Sequence, residues 1–149
     1  MQEIERHSQM MYRVALTILK NDEDVKDALQ EAALKAWAKR HTLRDEARFA
    51  TWMTRILINE CYTIRRRSSR LIPMEELPPQ PWQDADVTVR ILLEQLPEKL
   101  RLPLMLRCVE GMDEAEIAQA LHLSGPTVRG RIHRARKLLR KELENHEEA

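Results

Sequence analysis

The 149-residue chain sets 25 Lys and Arg against 24 Asp and Glu, with 33 % charged residues, 4 % aromatics and only 3 Gly. So much charge leaves apolar material for thin cores only, and the prevalence of Leu, Ala, Met, Glu, Lys and Arg favours helices. An all-α protein of two small domains is therefore expected rather than one large core. Cys61 and Cys108 stand far apart without a CxxC partner, which argues against a disulfide framework or a zinc site; both are expected as small buried residues. With no signal peptide or long apolar run, the cytosol is the expected compartment.

The net charge of +1 hides a pattern. Residues 1–37 carry 5 basic and 7 acidic groups, 38–72 carry 9 and 3, 73–125 carry 4 and 10, 126–141 carry 7 and 0, and 142–149 carry 0 and 4. Two basic blocks separated by an acidic one fit two contacts with a polyanion such as nucleic acid. Solvated helix faces would give the same pattern.

In chain order, residues 1–20 are expected as a helix, with Met11, Ala15 and Ile18 on its apolar side. Asn21 and Asp22 break it and can cap the next, which runs from Glu23 to Lys39. At about 100° per residue, Val25, Leu29, Ala32 and Ala36 make a core stripe on this second helix. Leu34 and Trp37 fall on the opposite side, beside Asp27, Gln30 and Glu31. An apolar patch rimmed by charge marks a protein-binding surface, unless Trp37 packs within its own domain.

After a polar loop, His41 to Glu46, a third helix is expected from Ala47 to Arg67, with Phe49, Trp52, Met53 and Ile56 on one side. Arg48, Arg55, Asn59, Tyr62 and Arg66 align on another. Cations, an amide and an aromatic in one stripe suit a single nucleic-acid strand, whose bases stack and whose phosphates pair with Arg. The run Arg65, Arg66 and Arg67 could hold duplex phosphates.

Pro73, Pro78, Pro79 and Pro81 cannot share one helix. Residues 68–88 are thus a Pro-rich linker between domains at 1–67 and 89–149. Trp82, within the linker, is expected to dock on the chain. Pro97 and Pro103 punctuate the helical pattern of 89–109, and Gly111 stops it.

A helix-turn-helix follows. Asp113 caps a short helix ending near His122, with Ile117, Ala118 and Leu121 inward; small Ala118 would allow a close crossing. The turn is Leu123 to Pro126, and the last helix runs from Thr127 to about Leu143. Val128, Ile132, Ala135 and Leu139 back this helix, while Arg129, His133, Arg134, Arg136, Lys137, Arg140 and Lys141 fill the opposite arc. Apolar backing with a cationic front is what a helix entering a major groove needs. Arg129, His133 and Arg134 are placed for bases or nearby phosphates, and Arg136, Lys137, Arg140 and Lys141 for the backbone. Glu142 to Glu148 are expected as a frayed tail.

Taken together, Met11–Ala15, Asp24–Glu31, Lys35–Trp37, Arg48–Ile56, Asn59, Leu96–Pro97, Leu100–Arg101, Glu110–Gly111, Glu116–Ala118, Thr127–Val128 and Arg131–Arg136 resemble extracytoplasmic-function sigma factors of the sigma-70 family. Their order is region 2, linker, region 4. The resemblance implies that Asp27, Gln30, Glu31, Leu34 and Trp37 grip the β′ clamp helices of RNA polymerase core, whose β subunit is a further partner. The loop from Arg40 to Arg48 and the third helix, with Arg65, Arg66 and Arg67, would open and read the −10 element. Thr127, Arg129, Arg131, His133, Arg134, Arg136 and Lys137 would read the −35 element as duplex promoter DNA. An anti-sigma factor is implied as a partner, able to hold the chain at the membrane. The chain departs from the family pattern at Pro126, with Gly125 one place earlier, and at Gly130.

Two other readings remain: a stand-alone helix-turn-helix regulator and a helical polymerase-binding adaptor. An enzyme, a cofactor and a metal are not expected. His7, His41, His122, His133 and His146 are scattered, without an acid–base, phosphate-loop or metal constellation.

Overall fold

A computed structural model of the chain describes residues 2–68, 93–108 and 110–148. Every regular element among the described residues is helical. Tertiary contacts divide the chain into two compact units, Met1–Pro81 and Trp82–Ala149. Trp82 and, apart from Ser68, the expected linker lie outside the described residues.

In the first unit α1 spans Gln2–Leu19, α2 Asp22–Ala38 and α3 Phe49–Ser68. Lys20 turns the chain between α1 and α2 in the left-handed region, at φ +59°. The Asn21 side chain then accepts the amides of Glu23 at 2.9 Å and Asp24 at 3.3 Å. Two otherwise orphaned donors of α2 are thereby satisfied, and three acidic residues in its first turn suit the helix dipole.

The turn is also tied by the Tyr12 hydroxyl, which donates to Asp22 at 2.9 Å. This bond, then Lys26, holds the Asp22 carboxyl below its usual range. A depressed carboxyl stabilises the fold above its unfolded pKa of about 4, and that contribution is lost as pH falls through the lower folded value. Tyr12→Phe is expected to raise the Asp22 pKa in an NMR titration. An unchanged value would assign the depression to Lys26 alone.

Val14, Leu16 and Ile18 of α1 pack with Val25, Ala28 and Ala32 of α2 and Leu57, Ile58 and Cys61 of α3, all buried. The α2 stripe is turned from the expected one: Ala28 is fully buried, and Leu29 and Ala36 sit half-buried at its edge. On α3 the apolar side that holds Phe49, Trp52, Met53 and Ile56 is buried only in part. Met53, Leu57, Ile58 and Cys61 face the core, while Phe49, Trp52 and Ile56 are only half-buried. The reason is that α3 packs on both α1 and α2, so its buried arc is wider than a single-partner stripe and points elsewhere. Glu60, buried in this arc, pairs with Lys35 of α2. Burial pushes the Cys61 thiol up to about 12, with the Glu60 charge adding to the effect.

In the second unit α4 spans Glu98–Cys108, α5 Glu114–Leu121 and α6 Gly125–Glu148. Pro103 lies inside α4 rather than interrupting it. An interior proline costs about 3 kcal/mol, and here its ring is fully buried in the apolar core. Beyond α4, Gly111 takes φ +69°, and the Met112 amide reaches the Leu106 carbonyl at 3.0 Å. Leu106, Ile117, Ala120, Val128, Ile132 and Ala135 build the core. Ala120, rather than the half-buried Ala118, is the small inward residue of α5.

The expected frayed end is corrected: α6 continues to Glu148, as the good helix formers Glu142, Leu143 and Glu144 permit. Cys108 is exposed, not buried, with an Arg136 guanidinium nitrogen 3.9 Å from its sulfur. Among the described residues no helix is long and apolar enough to cross a membrane.

Candidate polymerase and nucleic-acid interfaces

Burying Val25, Ala28 and Ala32 turns the opposite face of α2 outward. Leu34 is 65 % exposed and Trp37 68 %, with Asp27, Gln30 and Glu31 exposed on the same helix. Trp37 therefore does not pack into its own unit. Arg40 lies over the indole, 4.1 Å from its centroid, and donates to the Trp37 carbonyl at 2.7 Å. Neither bond depends on deep burial, so the ring is oriented yet accessible. The sequence reading placed Arg40 only at the start of the −10 loop; its hold on Trp37 was missed, although the i+3 spacing is the signal that could have found it.

The loop after α2 contains two short 3-10 turns, Arg40–Thr42 and Glu46–Arg48. Asp45 caps the second by accepting the Ala47 amide at 3.0 Å. Trp52 of α3 fastens the loop, its indole N–H donating to the Thr42 hydroxyl at 3.1 Å. Phe49 lies 6.0 Å from Trp52 and 5.7 Å from the His7 ring of α1, centroid to centroid. Trp52 thus links the loop to a row of rings that runs through Phe49 to His7 of α1. Arg48, Arg55, Asn59 and Arg66 are exposed on the expected stripe, and Tyr62 is half-buried. Arg65 lies over the Tyr62 ring at 5.0 Å; with exposed Arg67 it extends the cationic end of α3.

The helix-turn-helix owes its shape to its caps. Asp113 accepts the Glu116 amide at 2.8 Å, and Glu116 accepts the Asp113 amide at 3.2 Å, closing a capping box on α5. His122 ends α5 in the left-handed region at φ 57°. Ser124 then caps α6, accepting the Thr127 amide at 3.2 Å while its hydroxyl meets that of Thr127 at 2.7 Å. The helix starts at Gly125, two residues before expectation, because the Ser124 cap admits Pro126 into the first turn.

Val128, Ile132 and Ala135 are buried. Thr127, Arg129, His133, Arg134, Arg136 and Lys137 are exposed, whereas Arg131 is half-buried. Arg131 lies about 60° from Val128 on the wheel, at the flank of the packed side. Arg129 is not left to solvent alone: its Nε donates to a Glu114 carboxylate oxygen at 3.0 Å. Fifteen residues separate the two, a spacing that carries no local signal. A Cβ at Gly130 would meet nothing within 4 Å, so nothing inside the described chain requires glycine there.

A helix-turn-helix with a cationic outer arc, on a chain whose other unit is a three-helix bundle with an exposed Trp, is the frame of a sigma-70-type protein. The family profile described as Sigma-70 region 2 matches residues 4–71, and that of Sigma-70, region 4 matches residues 88–139. The chain is 29 % identical over 143 residues to RNA polymerase sigma factor SigV of Bacillus subtilis, covering 92 % of this chain and 86 % of that one. It is 30 % identical to the ECF RNA polymerase sigma factor SigM of Mycobacterium tuberculosis, covering 90 % and 71 %. Among solved structures, CnrH in complex with the cytosolic domain of CnrY matches with TM-score 0.63 and 30 % identity, covering 97 % of this chain and 86 % of that one. RpoE of Bartonella quintana, solved with the anti-sigma factor NepR, shares the fold at TM-score 0.75 and 22 % identity, covering 96 % and 95 %. The chain belongs to the extracytoplasmic-function RNA polymerase sigma factors.

Proposed function

We propose that this sigma factor binds polymerase core through the outer face of α2, with Asp27, Gln30, Glu31, Leu34 and Trp37 set against the β′ clamp helices. The observation that carries this reading is the exposure of Leu34 and Trp37 on a helix whose other face is fully buried. A regulator acting through its helix-turn-helix alone has no use for such a patch.

In this reading residues 1–67 act as region 2, 68–88 as the linker and 89–149 as region 4. The loop at 40–48 and Arg48, Arg55, Asn59, Tyr62, Arg65, Arg66 and Arg67 of the α3 side open and hold the −10 element as a single strand. Thr127, Arg129, His133 and Arg134 meet base edges and nearby phosphates of the −35 duplex, with Arg131, Arg136 and Lys137 holding the backbone. The chain supplies recognition, and the polymerase supplies the chemistry, in the cytoplasm. An anti-sigma factor covering one of these faces would keep the chain inactive, by analogy with the CnrH and RpoE complexes.

The test is comigration with bacterial core polymerase on size fractionation, followed by transcription from a promoter selected by the resulting holoenzyme. Comigration and promoter-dependent transcripts are expected. Failure to comigrate with core that accepts another sigma factor, together with specific duplex binding by the chain alone, would favour the stand-alone regulator.

A further inference from the structure

Arg129 and Glu114 carry an inference that rests on the −35 reading and deepens it. Glu114 opens α5, directly after its cap Asp113. The dipole of α5 favours a carboxylate in that first turn, so Glu114 has its own reason to stay in place. Arg129 stands on the outer arc of α6, its side chain 69 % exposed against 40 % for Glu114. An ion pair this exposed contributes little to folding stability, which leaves geometry as its consequence.

The bond uses Arg129 Nε. Among the described residues no other bond to this guanidinium is formed, so its outer edge, Nη1 and Nη2, is presented away from the carboxylate. Two parallel N–H donors on a rigid edge match the two acceptors, O6 and N7, that guanine offers in the major groove. A lone arginine at this place would also reach phosphates, which bind it whatever the sequence. The carboxylate opposes that exchange twice: it already holds one N–H, and its charge repels a phosphate near the same nitrogen.

We propose that Glu114 is a specificity-determining positioning residue, which holds Arg129 by Nε so that its outer edge reads a guanine of the −35 element instead of straying to phosphate. The role belongs to the pair α5–α6 as a unit: one helix of the motif aims the reading residue of the other.

The experiment uses holoenzyme made with the full chain and the duplex that wild-type holoenzyme enriches from a pool randomised over the −35 element. Binding is measured across salt for wild type, Glu114→Gln, Arg129→Ala and the double variant, on that duplex and on every single-base-pair change. Circular dichroism checks the fold. Glu114→Gln is expected to lower discrimination about threefold at one G·C pair, the same pair to which Arg129→Ala becomes indifferent, and to leave other positions unchanged. On unrelated duplex it is expected to bind more tightly, with a log–log salt slope steeper by about one phosphate. In the Arg129→Ala background, Glu114→Gln is expected to change neither. Wild-type discrimination in Glu114→Gln, with Arg129→Ala impaired at one pair, would overturn the role of Glu114 and leave the −35 reading standing. Discrimination unaffected by Arg129→Ala would remove Arg129 from the bases, and the role of Glu114 with it. An equal loss at every base pair would mark Glu114 as a structural residue and overturn the proposal.

Discussion

Trp37→Ala is expected to weaken binding to core polymerase by about 30-fold or more while leaving the chain folded. A buried tryptophan at the centre of an interface commonly carries about 2 kcal/mol or more, which is that factor in affinity. The same substitution costs the free chain little. Trp37 is 68 % exposed, and the stack of Arg40 on its ring is worth about 0.5–1 kcal/mol at an exposed site. Affinity and stability are thus expected to separate, which a core residue would not allow. Arg40→Ala refines the test. It removes the stacked cation and the bond to the Trp37 carbonyl but keeps the indole, so a loss of only a few-fold is expected. Titration of labelled chain with core, beside thermal melts, measures both. Unchanged affinity in a folded Trp37→Ala variant would remove the ring from the interface.

Ile117→Ala is expected to be the most damaging single truncation for −35 recognition, although Ile117 itself cannot touch DNA. It is fully buried between α5 and its neighbours. Replacing a buried Ile by Ala costs about 2–5 kcal/mol, partly as lost transfer energy and partly as a cavity. Whole domains hold only about 5–15 kcal/mol, and a small unit with a thin core stands at the low end of that range. The arginines of α6 would keep their charges but lose the helix that backs them. The melting temperature of the second unit is expected to drop by about 10 °C or more, and promoter discrimination with it. Ile117→Val, at about 0.5–1.5 kcal/mol, is expected to retain recognition. Promoter discrimination that survived a destabilised Ile117→Ala chain would show that α6 does not need α5 behind it.

The three large basic and apolar patterns behave differently when packed. On α6, one partner side and one solvent side make a two-sided helix, and of the stripe Val128, Ile132, Ala135 and Leu139 the first three come out buried as periodicity predicts, with Leu139 half-buried. On α2 the stripe is turned slightly, to Ala28, yet the exposed pair Leu34 and Trp37 survives the shift. On α3 periodicity goes only part of the way. A helix packed on two neighbours buries a wide arc, so of the apolar side Phe49, Trp52, Met53 and Ile56 only Met53 is fully buried, while Arg48, Arg55, Asn59 and Arg66 of the polar stripe stay exposed.

The helical class, the cap residues Asn21 and Asp113, the apolar backing of α6 and the cationic arc opposite it were legible in the order of residues alone. These follow from short-range rules of spacing, capping and charge, in which every participant lies within a few residues. The arc that α3 buries, the Lys35–Glu60 pair, the hold of Trp52 on Thr42 and the grip of Glu114 on Arg129 emerge with the packing of the helices. Each joins residues from different elements. Their meeting depends on how helices cross, and no periodicity along one helix encodes that.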